Sequence, residues 1–64
     1  MSWYYEINHA IEGKEWESGF ESSDDAMDAM DEAMTAMIDR IAEKHPDMTD
    51  EEIEAEIDWE VREE

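Results

Sequence analysis

Cysteine is absent from this chain of 64 residues, so it has no disulfide bond and no thiolate to serve as a metal ligand or nucleophile. Long apolar runs are absent too, because none approaches the roughly 20 residues that cross a bilayer. The first residues lack the basic-then-apolar order of a signal peptide. We therefore expect one cytoplasmic domain.

Basic residues are scarce. Four Lys and Arg face 22 Asp and Glu, which gives a formal net charge of −18. This balance excludes nucleic acid and anionic membranes as direct partners, because both are polyanions. It favours a basic protein surface, and large basic surfaces commonly bind nucleic acid. Self-repulsion opposes compaction, but 41% of the residues are hydrophobic and patterned, which argues against disorder.

Signals for catalysis and metal binding are weak. The chain has no Gly-rich phosphate loop and no serine in a G-x-S-x-G setting. The acids between Asp24 and Glu32 do not follow the calcium-loop pattern, and on a rigid helix their carboxylates diverge. His9 and His45 fit ordinary positions in a strand and at a helix end. We therefore expect a protein that is not an enzyme and binds no metal or cofactor.

Residues 3–21 show the alternation of a β-hairpin. Aromatic and β-branched residues alternate with polar ones on either side of Glu12-Gly13, which suits a two-residue turn. This turn predicts the pairs Ile11 with Lys14, His9 with Trp16, Ile7 with Ser18, and Tyr5 with Phe20. The apolar face, which a helix must cover, then comprises Trp3, Tyr5, Ile7, His9, Trp16 and Phe20.

Residues 23–45 have the periodicity of an amphipathic helix. Ser22 or Ser23 caps its start, and Pro46 stops it. Its apolar stripe comprises Met27, Met30, Met34, Met37, Ile38 and Ile41. In so small a domain the stripe is expected to be core rather than a methionine-lined groove, and a dimer seam is the alternative.

A second helix is predicted over residues 49–63. Thr49 and Glu52 form a capping box at its start. Its apolar stripe comprises Ile53, Ile57 and Val61. The predicted fold class is therefore α+β: one domain, residues 1–64, in which an N-terminal two-stranded antiparallel hairpin packs on two helices. The predicted core is Tyr5, Ile7, Trp16, Phe20, Met27, Met30, Met34, Met37, Ile38, Ile41, Ile53, Ile57 and Val61.

An acidic line lies on the first helix, opposite its apolar stripe. Its members recur at spacings of three, four and seven residues: Asp25, Asp28, Glu32, Asp39 and Glu43. Almost no basic residue relieves these like charges. Glu52 and Glu56 of the second helix extend the candidate partner-binding surface. The alternative interpretations are a merely solvated face and adaptation to high salt, which screens self-repulsion.

Trp59 falls far from the apolar stripe of the predicted second helix. One interpretation is an exposed anchor ringed by acids, since Trp is enriched at interface hot spots. The other is that Trp59 packs on the hairpin or on a second copy of the chain. We include Trp59 among the candidate partner-binding residues, and we expect a monomer or a weak homodimer.

The chain resembles small phage-encoded inhibitors that imitate DNA, particularly acidic anti-CRISPR proteins. The resemblance is carried by size, charge, the lack of cysteine and the acidic segments DDAMDAMDEAM and TDEEIEAEIDWE. It covers the whole chain in general character, without a shared motif. If the protein is phage-encoded, as the resemblance implies, its expected location is the host cell cytoplasm. The resemblance implies an inhibitor that occupies the DNA-binding channel of a CRISPR effector complex. Other DNA mimics block restriction enzymes, repair nucleases or histone-like proteins, and the sequence does not choose among these targets. The alternative is a salt-adapted or structural acidic domain with no inhibitory role.

Overall fold

The computed structural model describes all 64 residues and contains three strands and two helices. In chain order they are β1 (Trp3–His9), β2 (Gly13–Phe20), α1 (Ser23–Lys44), α2 (Asp50–Ala55) and β3 (Ile57–Glu63). The strands form one antiparallel sheet in the order β2-β1-β3, so β1 is central. The predicted α+β class is confirmed, but the sheet has three strands where two were expected.

The predicted second helix, residues 49–63, is wrong beyond Ala55. The capping box at its start is present, but α2 lasts only six residues and β3 follows it. Ile57 and Val61 are four residues apart, a spacing that suits either a helix stripe or one face of a strand. The strand also places Trp59 on that face, and it gives β1 a second antiparallel partner along its whole length.

The hairpin forms in a different register from the predicted one. Its loop has three residues, 10–12, and Gly13 begins β2 with a φ of 84°. His9 therefore faces Gly13, and Glu6 faces Trp16. Because the displacement from the predicted pairing is an odd number of residues, most side chains of β2 change faces. Trp16, predicted to be core, lies on the outer face of the sheet and is 64% exposed.

A bulge at Gly19 restores the inner face at the end of β2. Gly19, with a φ of 88°, is the extra residue where the β1–β2 register shifts, so Phe20 pairs with Trp3. Phe20 thereby reaches the inner face, and its ring centroid lies 5.8 Å from that of Tyr5. A Cβ at position 19 would meet nothing within 4 Å, so only the backbone conformation demands glycine there.

The core lies between α1 and the inner face of the sheet. Its fully buried cluster comprises Tyr5, Ile7, Met30, Met37, Ile41 and Ile53, all of them predicted. The predicted residues packed against it in part are Phe20, Met34, Ile38, Ile57 and Val61. Met27 was predicted to be core but is 40% exposed. The buried stripe of α1 runs instead through Ala26, Met30, Met37 and Ile41, so Met27 lies at its margin.

His9 is the only polar residue that is fully buried. Its Nδ1 accepts a hydrogen bond from the backbone N–H of Ile11 at 3.0 Å. Because Nδ1 accepts, the neutral ring carries its proton on Nε2, which donates to the carbonyl of Ile53 at 3.2 Å. The ring therefore joins β1 to both the hairpin loop and α2.

The position of the core is tested by two neighbouring methionines. Met30→Asp places a charge at a site that is 1% exposed, and we expect it to abolish the cooperative thermal melt at ordinary salt. Met27→Asp adds the same charge at an exposed site, and we expect a cooperative melt with a stability change of about 1 kcal/mol or less. Circular dichroism melts distinguish the two, and equal behaviour of both variants would contradict this placement of the core.

The link made by His9 is tested by replacing it with leucine, which keeps the bulk but removes both hydrogen bonds. We expect His9→Leu to lower the free energy of unfolding by about 1–3 kcal/mol, since buried polar partners lose their bonds. Asn8→Leu, on the exposed face of the same strand, is the matched control and should change stability by about 0.5 kcal/mol or less. Urea midpoints measure both, and a His9→Leu midpoint equal to the control's would show that the link is dispensable.

Candidate acidic interaction surface

The five acids predicted on the first helix lie on one side of α1, with a gap of about two turns between Glu32 and Asp39. Asp25, Asp28, Glu32, Asp39 and Glu43 are all exposed. They lie on the side of α1 that faces away from its buried stripe and from the sheet. At 1.5 Å per residue the line is about 27 Å long. We call these five residues the acidic line.

The start of α1 suits a high density of negative charge. The side chain of Ser22 caps the helix and accepts a hydrogen bond from the backbone N–H of Asp25 at 3.2 Å. Asp24 and Asp25 lie in the first turn, where the helix dipole stabilises negative charge. The acids therefore support helix formation at this end while they repel one another along it.

The four basic side chains all pair with glutamates of the sheet or the hairpin loop. The pairs are Lys14 with Glu6, Arg40 with Glu12 and Glu15, Lys44 with Glu12, and Arg62 with Glu60. None of these acids belongs to α1. The acidic line therefore has no basic partner within the molecule, and its charge is presented in full to the solvent.

Arg40 and Lys44, the two basic residues of α1, form ion pairs with the hairpin. Arg40 Nε donates to Glu12 Oε1 at 2.7 Å, and its Nη2 donates to Glu15 Oε2 at 3.2 Å. Lys44 Nζ donates to Glu12 Oε2 at 3.4 Å. The hydrogen bond from Arg40 lowers the pKa of Glu12, with Lys44 acting in the same direction, and the same contact raises the pKa of Arg40. These pairs clamp α1 to the hairpin.

The two predicted acids of the second helix have structural contacts. Glu52 Oε1 accepts hydrogen bonds from the N–H and the hydroxyl of Thr49, at 3.3 and 3.2 Å, and so completes the capping box. Glu56 Oε2 lies 3.8 Å from Nε2 of His9. Both side chains are exposed. Glu52 uses one carboxylate oxygen within the fold, whereas Glu56 lies near the His9 ring without a hydrogen bond to it.

Trp59 lies on a strand and not on the helix predicted for it. It occupies β3, an edge strand, on the inner face opposite Ile7, and it is 52% exposed. Asp58 and Glu60 flank it in the sequence and point to the other face. About half of the Trp59 side chain is therefore open to solvent at the sheet edge, and its two acidic sequence neighbours are on the opposite face.

The molecule is elongated as well as acidic. Its backbone measures 42 × 16 × 15 Å. A net charge of −18 along this axis corresponds to one negative charge for about every 2.3 Å. Duplex DNA carries one for about every 1.7 Å of axis. Burial, and then the charges of the neighbouring Glu17 and Glu15, raise the pKa of Tyr5.

Other kinds of site have little support in this structure. No group of three or more His, Asp and Glu side chains is arranged to hold a metal ion. Neither helix has the length and hydropathy needed to cross a bilayer. Comparison with protein-family models, curated proteins and solved structures finds no match. The distribution of charge over the surface is thus the main guide to function.

The clamp between Arg40 and Glu12 predicts a pH-dependent contribution to stability. The pKa of Glu12 is lowered in the folded state, so the stabilisation is present above 4.5, the ordinary value, and is lost as pH falls through the lowered value. Arg40→Gln should therefore be less stable than Arg62→Gln, its charge-matched control, at pH 7. Urea titrations should show this difference shrinking below pH 4.5. A difference that is constant with pH would contradict the clamp.

Proposed function

We propose that this protein is an inhibitor that imitates the charge of DNA and occupies the DNA-binding surface of a basic protein. The observation that carries the proposal is the acidic line, five exposed carboxylates that no basic side chain neutralises. Solubility alone does not call for this arrangement, because a solvated face functions equally well with its charges paired.

The dimensions of the molecule fit a segment of duplex. A length of 42 Å matches about 12 base pairs, which carry about 24 phosphates. The net charge of −18 is of similar size. A groove lined with Lys and Arg that accepts such a segment would therefore meet a comparable field from this protein.

Binding would have two electrostatic components. The field of the whole molecule would steer it toward a basic surface and raise the association rate. The acidic line would then form charge-assisted hydrogen bonds with Lys and Arg, which slow dissociation. Each exposed pair contributes only about 0–1 kcal/mol, so affinity would come from many contacts and would fall with rising salt.

The target we propose is a CRISPR effector complex or another DNA-binding protein. This choice follows the resemblance in size and charge to acidic anti-CRISPR proteins, and it is supported by the elongated shape. A purified panel that includes CRISPR effectors, a restriction enzyme, a repair nuclease and a histone-like protein covers the classes that DNA mimics inhibit. Displacement of duplex DNA from one member, with reciprocal displacement of this protein by excess DNA, is the expected result.

The acidic line is tested by a quadruple variant and a control of equal charge. The variant changes Asp25, Asp28, Glu32 and Asp39 to Asn or Gln. The control changes four exposed glutamates outside the line, Glu51, Glu54, Glu63 and Glu64, to Gln. Both have a formal charge of −14, four fewer than the −18 of the parent chain. We expect both to associate more slowly, and only the acidic-line variant to dissociate faster, by tenfold or more.

Three outcomes would contradict the proposal. A ternary complex of target, DNA and this protein, with no loss of affinity for either ligand, would exclude mimicry. Equal dissociation rates for the two quadruple variants would show that the acidic line makes no specific contacts. A domain that folds only in molar KCl would support salt adaptation instead, because screening would then be needed to offset self-repulsion.

A further inference from the structure

The outer face of the sheet, opposite both helices, differs in charge from the rest of the surface. Its charged residues are Glu6, Asp58 and Glu60 against Lys14 and Arg62, which gives a formal charge of −1. Two of the four basic residues of the chain are therefore on this face. It is the side of the molecule farthest from the acidic line, since α1 packs on the inner face.

Two aromatic rings and a carboxylate surround a shallow depression on this face. It has a volume of about 190 Å³ and is lined by Tyr4, Glu6, Lys14 and Trp16. Trp16 is 64% exposed, so its indole is open to a ligand. The register of the hairpin produces this exposure, because it turns Trp16 out of the core and beside Glu6.

The chemistry of the depression suits a cation. Aromatic faces attract cations through their quadrupoles, and a carboxylate beside them adds a charged acceptor. The structure already places one cation here, since the ammonium of Lys14 contacts Glu6. The side chain of Lys14 is 61% exposed and that of Glu6 is 29% exposed, so the lysine has open solvent beside it and the carboxylate is the more enclosed partner.

We propose that this depression docks an arginine side chain of a protein partner. The guanidinium stacks on Trp16 and donates hydrogen bonds to Glu6, while Lys14 moves into solvent. A planar guanidinium is preferred to an ammonium because it stacks and donates two parallel hydrogen bonds at once. The basic character of the partner rests on the proposed function. A partner that encloses the domain would contact the acidic line on one side and this depression on the other.

The test uses the three indole N–H signals of the full-length protein in NMR. N-acetyl-arginine amide is added at about 150 mM NaCl, where weak surface attraction is screened. We expect the Trp16 signal to shift along a saturable curve with a Kd of tens of millimolar, because an exposed cation–π contact and a charge-assisted hydrogen bond are both weak in water. Trp59, also half exposed, is the internal control and should show only a small, linear change. N-acetyl-citrulline amide, the uncharged analogue, should shift neither signal.

Three variants separate this site from general attraction of cations by an acidic protein. Glu6→Gln should weaken binding at least threefold, whereas Glu21→Gln, an exposed carboxylate outside the depression, should leave it unchanged. Lys14→Met removes the internal competitor and should tighten binding about two- to fivefold. Parallel linear shifts of Trp16 and Trp59, equal responses to arginine and citrulline, or weaker binding by Lys14→Met would each overturn the proposal.

The NMR titration tests the arginine site separately from the DNA-competition assay that tests mimicry. A saturable Trp16 response without displacement of DNA from any target would refute mimicry and retain the arginine site. Displacement of DNA without that response would retain mimicry and refute the site. If a second copy of the chain occupies the face instead, the Trp16 signal will move on dilution of the protein alone, and that outcome would also overturn the proposal.

Discussion

The packing of α1 against β1 is the interaction on which the rest of the structure depends. A cluster of six fully buried side chains must outweigh the mutual repulsion of 22 acids in a chain of 64 residues. The helix meets this demand with a buried stripe of Ala26, Met30, Met37 and Ile41, which lies over the central strand. Strands on both sides of β1 then widen the sheet, and all three strands contact α1.

The same arrangement decides where charge accumulates. Because α1 buries one side, its acids are gathered on the other, and the only two cations on the helix, Arg40 and Lys44, reach toward the hairpin. Lys44 lies in the last turn of α1, where the helix dipole also favours positive charge. A few ion pairs thus strengthen the contact between helix and hairpin and leave the acidic line bare. The stabilising ion pairs and the acidic line occupy separate parts of the surface. The ion pairs therefore stabilise the fold without neutralising any carboxylate of the acidic line.

Much of this fold was predictable from the sequence, and the errors have identifiable physical causes. The periodicity of α1, its caps and most of the core depend on local spacing, which the sequence displays directly. The third strand was missed because Ile57 and Val61 fit two periodicities, and Trp59, which fits only the strand, was treated as an anomaly. The predicted register was wrong because a glycine with positive φ can follow a three-residue loop, as Gly13 does, as readily as it completes a two-residue turn. An odd displacement then turned Trp16 outward. The exposure of the acidic line could be predicted from helical periodicity. Which acids Arg40 and Lys44 pair with could not, because those pairs join segments that are distant in the sequence.

Mimicry of DNA by this protein would be mimicry of a field more than of atomic positions. The acidic line has five carboxylates over about 27 Å, one for about every 7 Å. A single strand of duplex has one phosphate for about every 3.4 Å. The line alone is therefore sparser than one strand, and the density of the whole molecule approaches that of a duplex only because α2, β3 and the loops are acidic as well. Specificity for one target has to come from features that are less repetitive than charge. The near-neutral outer face of the sheet, with Trp16 beside Glu6, combines aromatic, acidic and basic side chains where the rest of the surface presents mainly carboxylates. This face would therefore contribute most to distinguishing one partner from another.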